Sequence, residues 1–183
     1  MNRRRFLGYA ATVPLAAPLV GGICRGESDA ADRGETVELT HPDSFMLAVL
    51  PDTQIYTTRP EWHRHFFNQT RWIAENAERL NIKYVIHEGD IVNDNLHEQW
   101  KVAQAAMQLL DGVVPYSLSP GNHDYGQGGS ANDRTTLLND YFAAEACARW
   151  PTFGGVMEPG RLENSYHVFE AGGGRHPVLP LEW

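Results

Sequence analysis

Ser119-Pro120-Gly121-Asn122-His123-Asp124-Tyr125, read with the upstream Gly89-Asp90-Ile91-Val92-Asn93, is the stretch on which the fold turns. In each, a glycine follows an apolar run and precedes groups that bind metals or move protons. Glycine at such a point lets the backbone turn sharply as it leaves a strand, so the next side chains project into a shared crevice. Asp90 offers a carboxylate able to bridge two cations, Asn122 a neutral amide oxygen, and His123 an imidazole that titrates near neutral pH. A third loop, Pro51-Asp52-Thr53-Gln54, also follows an apolar run. Asp52, Asp90 and Asn122 stand 38 and 32 residues apart. Each interval is about one βαβ repeat, which needs roughly 30 residues or more. Three strand ends converging on one place predict an α/β fold with its site at that convergence.

Outward from these loops, the elements follow the hydrophobic pattern. Residues 45–50 form a continuous apolar run, expected of a parallel strand covered on both faces. Thr58-Arg59-Pro60-Glu61 has the form of a capping box and opens a helix, with Trp62, Phe66, Ile73, Ala77 and Leu80 at helical spacing toward the sheet. His63 and His65, two apart, do not share a helix face and read as surface residues. Residues 82–87 form the second strand, and its His87 reads as a packed histidine near the site. A second helix starts near Asn95 and buries Trp100, Ala103, Met107 and Leu110, ending at Gly112. Residues 113–118 form the third strand, with Pro115 near its beginning. A glycine-rich loop, 126–129, lies beside the site. Leu137 to Phe142 reads as a short helix, and residues 164–170 and 178–183 as two strands joined by Gly172-Gly173-Gly174.

The N-terminal Asn2-Arg3-Arg4-Arg5-Phe6-Leu7 and the weakly apolar run to Ile23 resemble a twin-arginine export signal. Its apolar part is about 15 residues, too short for the roughly 20 of a spanning helix. The expected organisation is a signal over residues 1–30, a linker over 31–44 and a catalytic domain over 45–183. Export to the periplasm or the exterior follows, with no stable membrane anchor. The chain carries a formal net charge of −8, and removing the signal takes four arginines against two carboxylates. An acidic surface repels polyanions, so no nucleic-acid partner is expected. Cleavage would leave Cys147 as the one cysteine, so no internal disulfide forms, and its place in Phe142-Ala143-Ala144-Glu145-Ala146-Cys147 reads as helical packing.

Asp52-Thr53-Gln54, Gly89-Asp90-Ile91-Val92-Asn93 and Gly121-Asn122-His123-Asp124 together resemble the first three motifs of the calcineurin-like metallophosphoesterases, in that family's order and spacing. The resemblance implies a β-sandwich flanked by helices and metal-dependent hydrolysis of phosphoesters. Two metal ions (Mn, Fe or Zn) would be held by Asp52, Gln54, Asp90 and Asn122, with His123 as the catalytic residue. The sequence departs from the family in two places. Gln54 stands where most members have histidine, the Asp-x-Gln form of the first motif. The later histidine motifs are absent: His167 and His176, the histidines after His123, lack the expected surroundings. The chain is therefore expected to supply about the first half of the family domain, with impaired turnover and a sheet edge open to self-association. The competing reading is a non-catalytic exported remnant that binds metal or a partner. A doubly wound nucleotide-binding domain is disfavoured, because Pro-Asp-Thr-Gln replaces a Gly-x-Gly-x-x-Gly turn.

Overall fold

The computed structural model describes residue 39 and residues 41–182, so the expected export signal and most of the expected linker lie outside the described residues. Strands β1 (Met46–Leu50), β2 (Ile82–His87) and β3 (Tyr116–Leu118) form a parallel sheet in that order. Leu50 sits opposite His87, and His87 opposite Leu118. The three strands thus end level, and their exit loops emerge side by side from one edge.

The crossovers are α1 (Pro60–Asn76) and α2 (His97–Met107). Phe66, Thr70, Ile73, Ala77 and Leu80 form the buried stripe of the first crossover. Trp100, Ala103, Met107 and Leu110 are buried in and just after α2, as their spacing predicts. With Leu50, Val85 and Leu118 they make one core on the helix side of the sheet. Truncating a residue such as Trp100 there costs about 3–5 kcal/mol.

A second sheet covers the other face of β2. It comprises β4 (Phe153–Val156), β5 (Ser165–Ala171) and β6 (Gly174–Val178), antiparallel and in that order. Tyr84 of β2 stacks on Phe169 of β5 with ring centroids 5.3 Å apart, and meets the edge of His167 at 5.7 Å. Phe45 closes the contact edge-on to Phe169. The fold is therefore mixed α/β, sheet on sheet with helices on the outer face of the parallel layer. Two short helices, α3 (Leu138–Tyr141) and α4 (Ala144–Cys147), connect β3 to β4.

Local expectations fail at five places, each for a physical reason. The capping box does not form, because the Thr58 hydroxyl donates to the Ile55 carbonyl of a preceding 3-10 turn and Arg59 enters the helix without a side-chain cap. Trp62 is half-buried rather than in the stripe, lying under the Arg59 guanidinium at 4.7 Å. The strand expected over 113–118 begins only at Tyr116, since Pro115 has no N–H for the ladder and Val113 and Val114 turn back onto the Leu110 carbonyl. β1 is covered on one face: Leu47 and Val49 are 42% and 49% exposed, because the second sheet packs over β2 and not over this edge strand. The last strand lies at Gly174–Val178 rather than 178–183. Gly172 and Gly173, with φ of 55° and 76°, complete a two-residue turn and pair Ala171 with Gly174.

Candidate functional site

Three loops meet at the C-terminal edge of the parallel sheet, and backbone contacts lock them together. The N–H of Gln54 donates to the Asp90 carbonyl at 2.8 Å, joining the first loop to the second. The second and third loops touch at Gly89 and Gly121. A Cβ on Gly121 would lie 2.2 Å from Asp90 Oδ1, and one on Gly89 would lie 2.7 Å from the Gly121 nitrogen. Only hydrogen fits at either place, which is why the two strand exits carry glycine. Asp90 adopts the left-handed conformation at φ 47°, a strained state that persists where its surroundings over-determine it.

Asp124 provides the strongest of these locks. Its buried carboxylate accepts the N–H groups of Ile91 (3.1 Å), Val92 (2.9 Å) and Gly121 (2.9 Å). Burial pushes its carboxyl up to about 7, against the opposing pull of those three donors. Gln99 plays a similar part below, its Oε1 accepting the N–H groups of Asn93 and Asp94.

Of the residues expected from the sequence, Asp52, Asp90 and Asn122 line one pocket of about 400 Å³, together with Glu88, Gly89 and Gly121. His123 is half-buried beside it. Its N–H donates to Asp90 Oδ1 at 2.9 Å, and its ring Nδ1 donates to the Asn93 carbonyl at 2.8 Å. Gln54 joins the group through its backbone, and its side chain is not part of the pocket wall. Its Oε1 is nonetheless buried without a hydrogen-bond donor. A buried acceptor with no donor costs about 1–3 kcal/mol, and a cation would satisfy it. Gly129, from the glycine-rich loop, is buried against the Asn93 carbonyl and the His123 ring.

The oxygen-rich donor set of Asp52, Asp90, Asn122 and Gln54 fits hard divalent cations better than thiophilic ones. Among the described residues no group of three or more His, Cys, Asp and Glu side chains is placed to hold a metal ion. The set depends on its amides.

Other singled-out residues lie elsewhere. His176 stacks on Phe169 and bonds the Ala171 carbonyl, so it belongs to the second sheet. His63 is half-buried and His65 exposed on α1, the latter against Tyr56. A separate cleft of about 460 Å³ is lined by Tyr116, Phe142, Cys147 and Trp150 among others and contains none of the expected site residues. Burial pushes the Cys147 thiol up to about 11, which keeps it protonated and poorly nucleophilic.

Sequence reasoning missed the roles of Thr53, Asp124 and Gln99, and placed His87 near the site without a partner. Asp124 carried one signal, its place in the Gly-Asn-His-Asp run. Thr53 shared the signal of the Asp52-Thr53-Gln54 run, though nothing in the sequence named its partner, and Gln99 carried none.

Comparison with known proteins adds two findings. Residues 46–182 match the family described as calcineurin-like phosphoesterase. The chain is 34% identical over 144 residues to the "Uncharacterized protein YvnB" of Bacillus subtilis (strain 168). That match covers 77% of this chain and 11% of the relative, so the chain spans a small part of that protein's length.

Proposed function

The chain belongs to the calcineurin-like phosphoesterase family, and on that premise we propose that it hydrolyses a phosphoester at the pocket where its three parallel strands end. The convergence of Asp52, Asp90 and Asn122 on one pocket carries the reading. Members of the family generally bind two metal ions. Here Asp52 and Gln54 would hold one, Asn122 the other, and Asp90 would bridge them, in an Asp-x-Gln variant of the family's first motif.

When bound, the ions supply positive charge and Lewis acidity to the phosphoester oxygens. The protein's own residues do the rest. His123, with Nδ1–H held by the Asn93 carbonyl, presents Nε2 as the atom that takes up and delivers a proton, and it serves the leaving oxygen. The same ring stabilises charge developing on the phosphoryl group when it is protonated. Asp124 keeps the loops carrying Asp90 and His123 in fixed relation through its three N–H bonds.

Of Mn, Fe and Zn, the oxygen-rich set favours Mn. The substrate is a small phosphoester rather than a nucleic acid, consistent with the net charge of −8. We place the protein outside the cytoplasm on the strength of its arginine-led N-terminus. No helix among the described residues is long and apolar enough to cross a membrane. Self-association through the open β1 edge is part of the same reading, with Leu47 and Val49 about half exposed there.

The donor count favours a second reading, in which the chain is a weakly metal-binding, non-catalytic remnant. Two carboxylates and two amides make a lean set for two ions. The test is hydrolysis of p-nitrophenyl phosphate and its bis ester by the full chain with added Mn²⁺, beside Asp90→Asn. Metal-dependent turnover abolished by the substitution supports the enzyme. A folded chain with no turnover supports the remnant.

A further inference from the structure

His87 is wholly buried, yet it is not an idle core residue. A backbone N–H can only donate, so the Gly89 N–H, 3.3 Å from Nδ1, makes that nitrogen the acceptor. In the neutral ring the proton then sits on Nε2, which donates to Thr53 Oγ1 at 2.9 Å. The Thr53 hydroxyl spends its own proton on the Ile91 carbonyl at 3.0 Å. Every direction in this chain of three bonds is set by its ends, and it admits one tautomer. A cationic ring would turn an Nδ1–H toward the Gly89 N–H, donor against donor. Burial acts the same way, lowering His87 to about 3. The Phe66 ring, 5.9 Å away and tilted by 61°, closes the remaining side.

The residues so pinned are the immediate neighbours of the candidate metal ligands. Thr53 stands between Asp52 and Gln54, and Gly89 and Ile91 stand on either side of Asp90. We infer that His87 is a positioning residue, a neutral Nε2-protonated imidazole that holds the first and second loops at the spacing their ligands require through the Gly89–His87–Thr53–Ile91 hydrogen-bond chain. The inference rests on the proposed metal role of Asp52, Gln54 and Asp90. A buried histidine that merely fills space would leave metal uptake untouched when its hydrogen bonds are removed.

Two measurements on the full chain test it. The first uses ¹⁵N-labelled histidine in the metal-free protein at neutral pH. NMR should show the His87 ring protonated at Nε2 with a slowly exchanging proton, and an Nδ1-protonated ring would overturn the assignment. The second follows Mn²⁺ uptake by electron paramagnetic resonance of the free ion, alongside melting curves, for wild type, Thr53→Val, Thr53→Ser and His87→Phe. Thr53→Val removes the hydroxyl at nearly constant volume and should raise the half-saturating Mn²⁺ concentration about tenfold. Thr53→Ser keeps the hydroxyl and should stay within about twofold of wild type on the same scale. His87→Phe should match Thr53→Val. Folded Thr53→Val with unchanged uptake overturns the inference, and this pair of threonine variants decides the matter even if His87→Phe does not fold. A wild-type chain that takes up no Mn²⁺ sinks the metal reading itself, and the inference with it, before any variant is compared.

Discussion

The ring Nδ1 of His123 lies 2.8 Å from the carbonyl oxygen of Asn93, and since a carbonyl only accepts, that nitrogen carries a proton. The second ring nitrogen is therefore left for chemistry, and the loop bearing Asn93 decides which one it is. His123→Ala should lower kcat for an activated phosphoester about 10²–10⁴-fold. Its melting temperature should stay close to wild type, because the ring is half-buried at the loop surface. Steady-state kinetics beside a melting curve checks both, and a variant with wild-type kcat would remove His123 from the mechanism.

Asp124→Asn keeps the shape of the side chain but replaces one acceptor oxygen by a donor amide. The carboxylate receives three backbone N–H groups, so at least one meets a like donor in the variant. Stability should fall by about 2–4 kcal/mol, the cost of one or two buried groups left unpaired. Urea unfolding of the metal-free chain measures it; a loss below about 0.5 kcal/mol would mean the loops are held by something else.

Gly121→Ala should push apart the two loops that carry the site. Its φ of −98° is open to any residue, but the new methyl group would lie 2.2 Å from Asp90 Oδ1 and 2.4 Å from the Asp90 backbone nitrogen. Asp90 must move, and the expected result is a folded protein whose Mn²⁺-dependent hydrolysis drops at least about 100-fold. Near-wild-type turnover would show that Asp90 is free to be displaced.

Acid should weaken the wild-type fold through its neutral histidines. Burial lowers His87 to about 3 and His167 to about 4, from an ordinary value near 6.5. Between those values the unfolded chain binds more protons than the folded one. The stability due to each neutral ring is thus complete above about pH 6.5 and is lost as pH falls toward 3–4. For His87 the loss reaches about 2 kcal/mol by pH 5. Asp124, raised to about 7, works in the opposite direction, so a single curve mixes the two. The difference between wild type and His87→Phe cancels Asp124, and it should shift by about 2 kcal/mol against wild type between pH 7.5 and 5. Urea titrations at the two pH values give the number, and a constant difference would mean that His87 titrates normally.

Cys147 should resist thiol reagents in the native chain. Its thiol is raised to about 11, and at pH 7.5 the thiolate fraction is below about 0.1%. Peptide mapping after brief treatment with iodoacetamide should find it unmodified in buffer and alkylated in urea. Rapid native alkylation would mean that the half-buried thiol titrates well below that value.

The route of the chain was legible where physics is local. Apolar runs at residues 45–50 and 82–87 became strands, the stripe from Trp100 to Leu110 became a core face, and glycine before Asp90 and Asn122 marked the two exits. What could not be read depends on partners far apart in sequence. Thr53 finds His87 across 34 residues, and Asp124 finds Val92 across 32, intervals of one βαβ repeat that bring loops together without saying which side chains meet. Thr58 shows the converse error: a local cap pattern was correct in composition, but a nearer carbonyl claimed the hydroxyl. The coverage of β1 was misjudged for a related reason. An apolar run states what a strand could bury, while the placement of the second sheet over Tyr84 decides what it does bury.

Asp90, at φ 47°, gives the site an unusual kind of fragility. An L-residue in that conformation sits uphill of glycine by about 1–2 kcal/mol. Folding energy from the rest of the molecule is stored at a residue whose backbone carbonyl meets the first loop at Gln54 and whose carboxylate meets the third at His123. The backbone at position 90 would be most comfortable as glycine, and Asp90→Gly would ease the local tension while leaving the pocket without its central charge. At this position the backbone and the chemistry pull in opposite directions, and the carboxylate offsets part of its own strain through the His123 N–H it accepts.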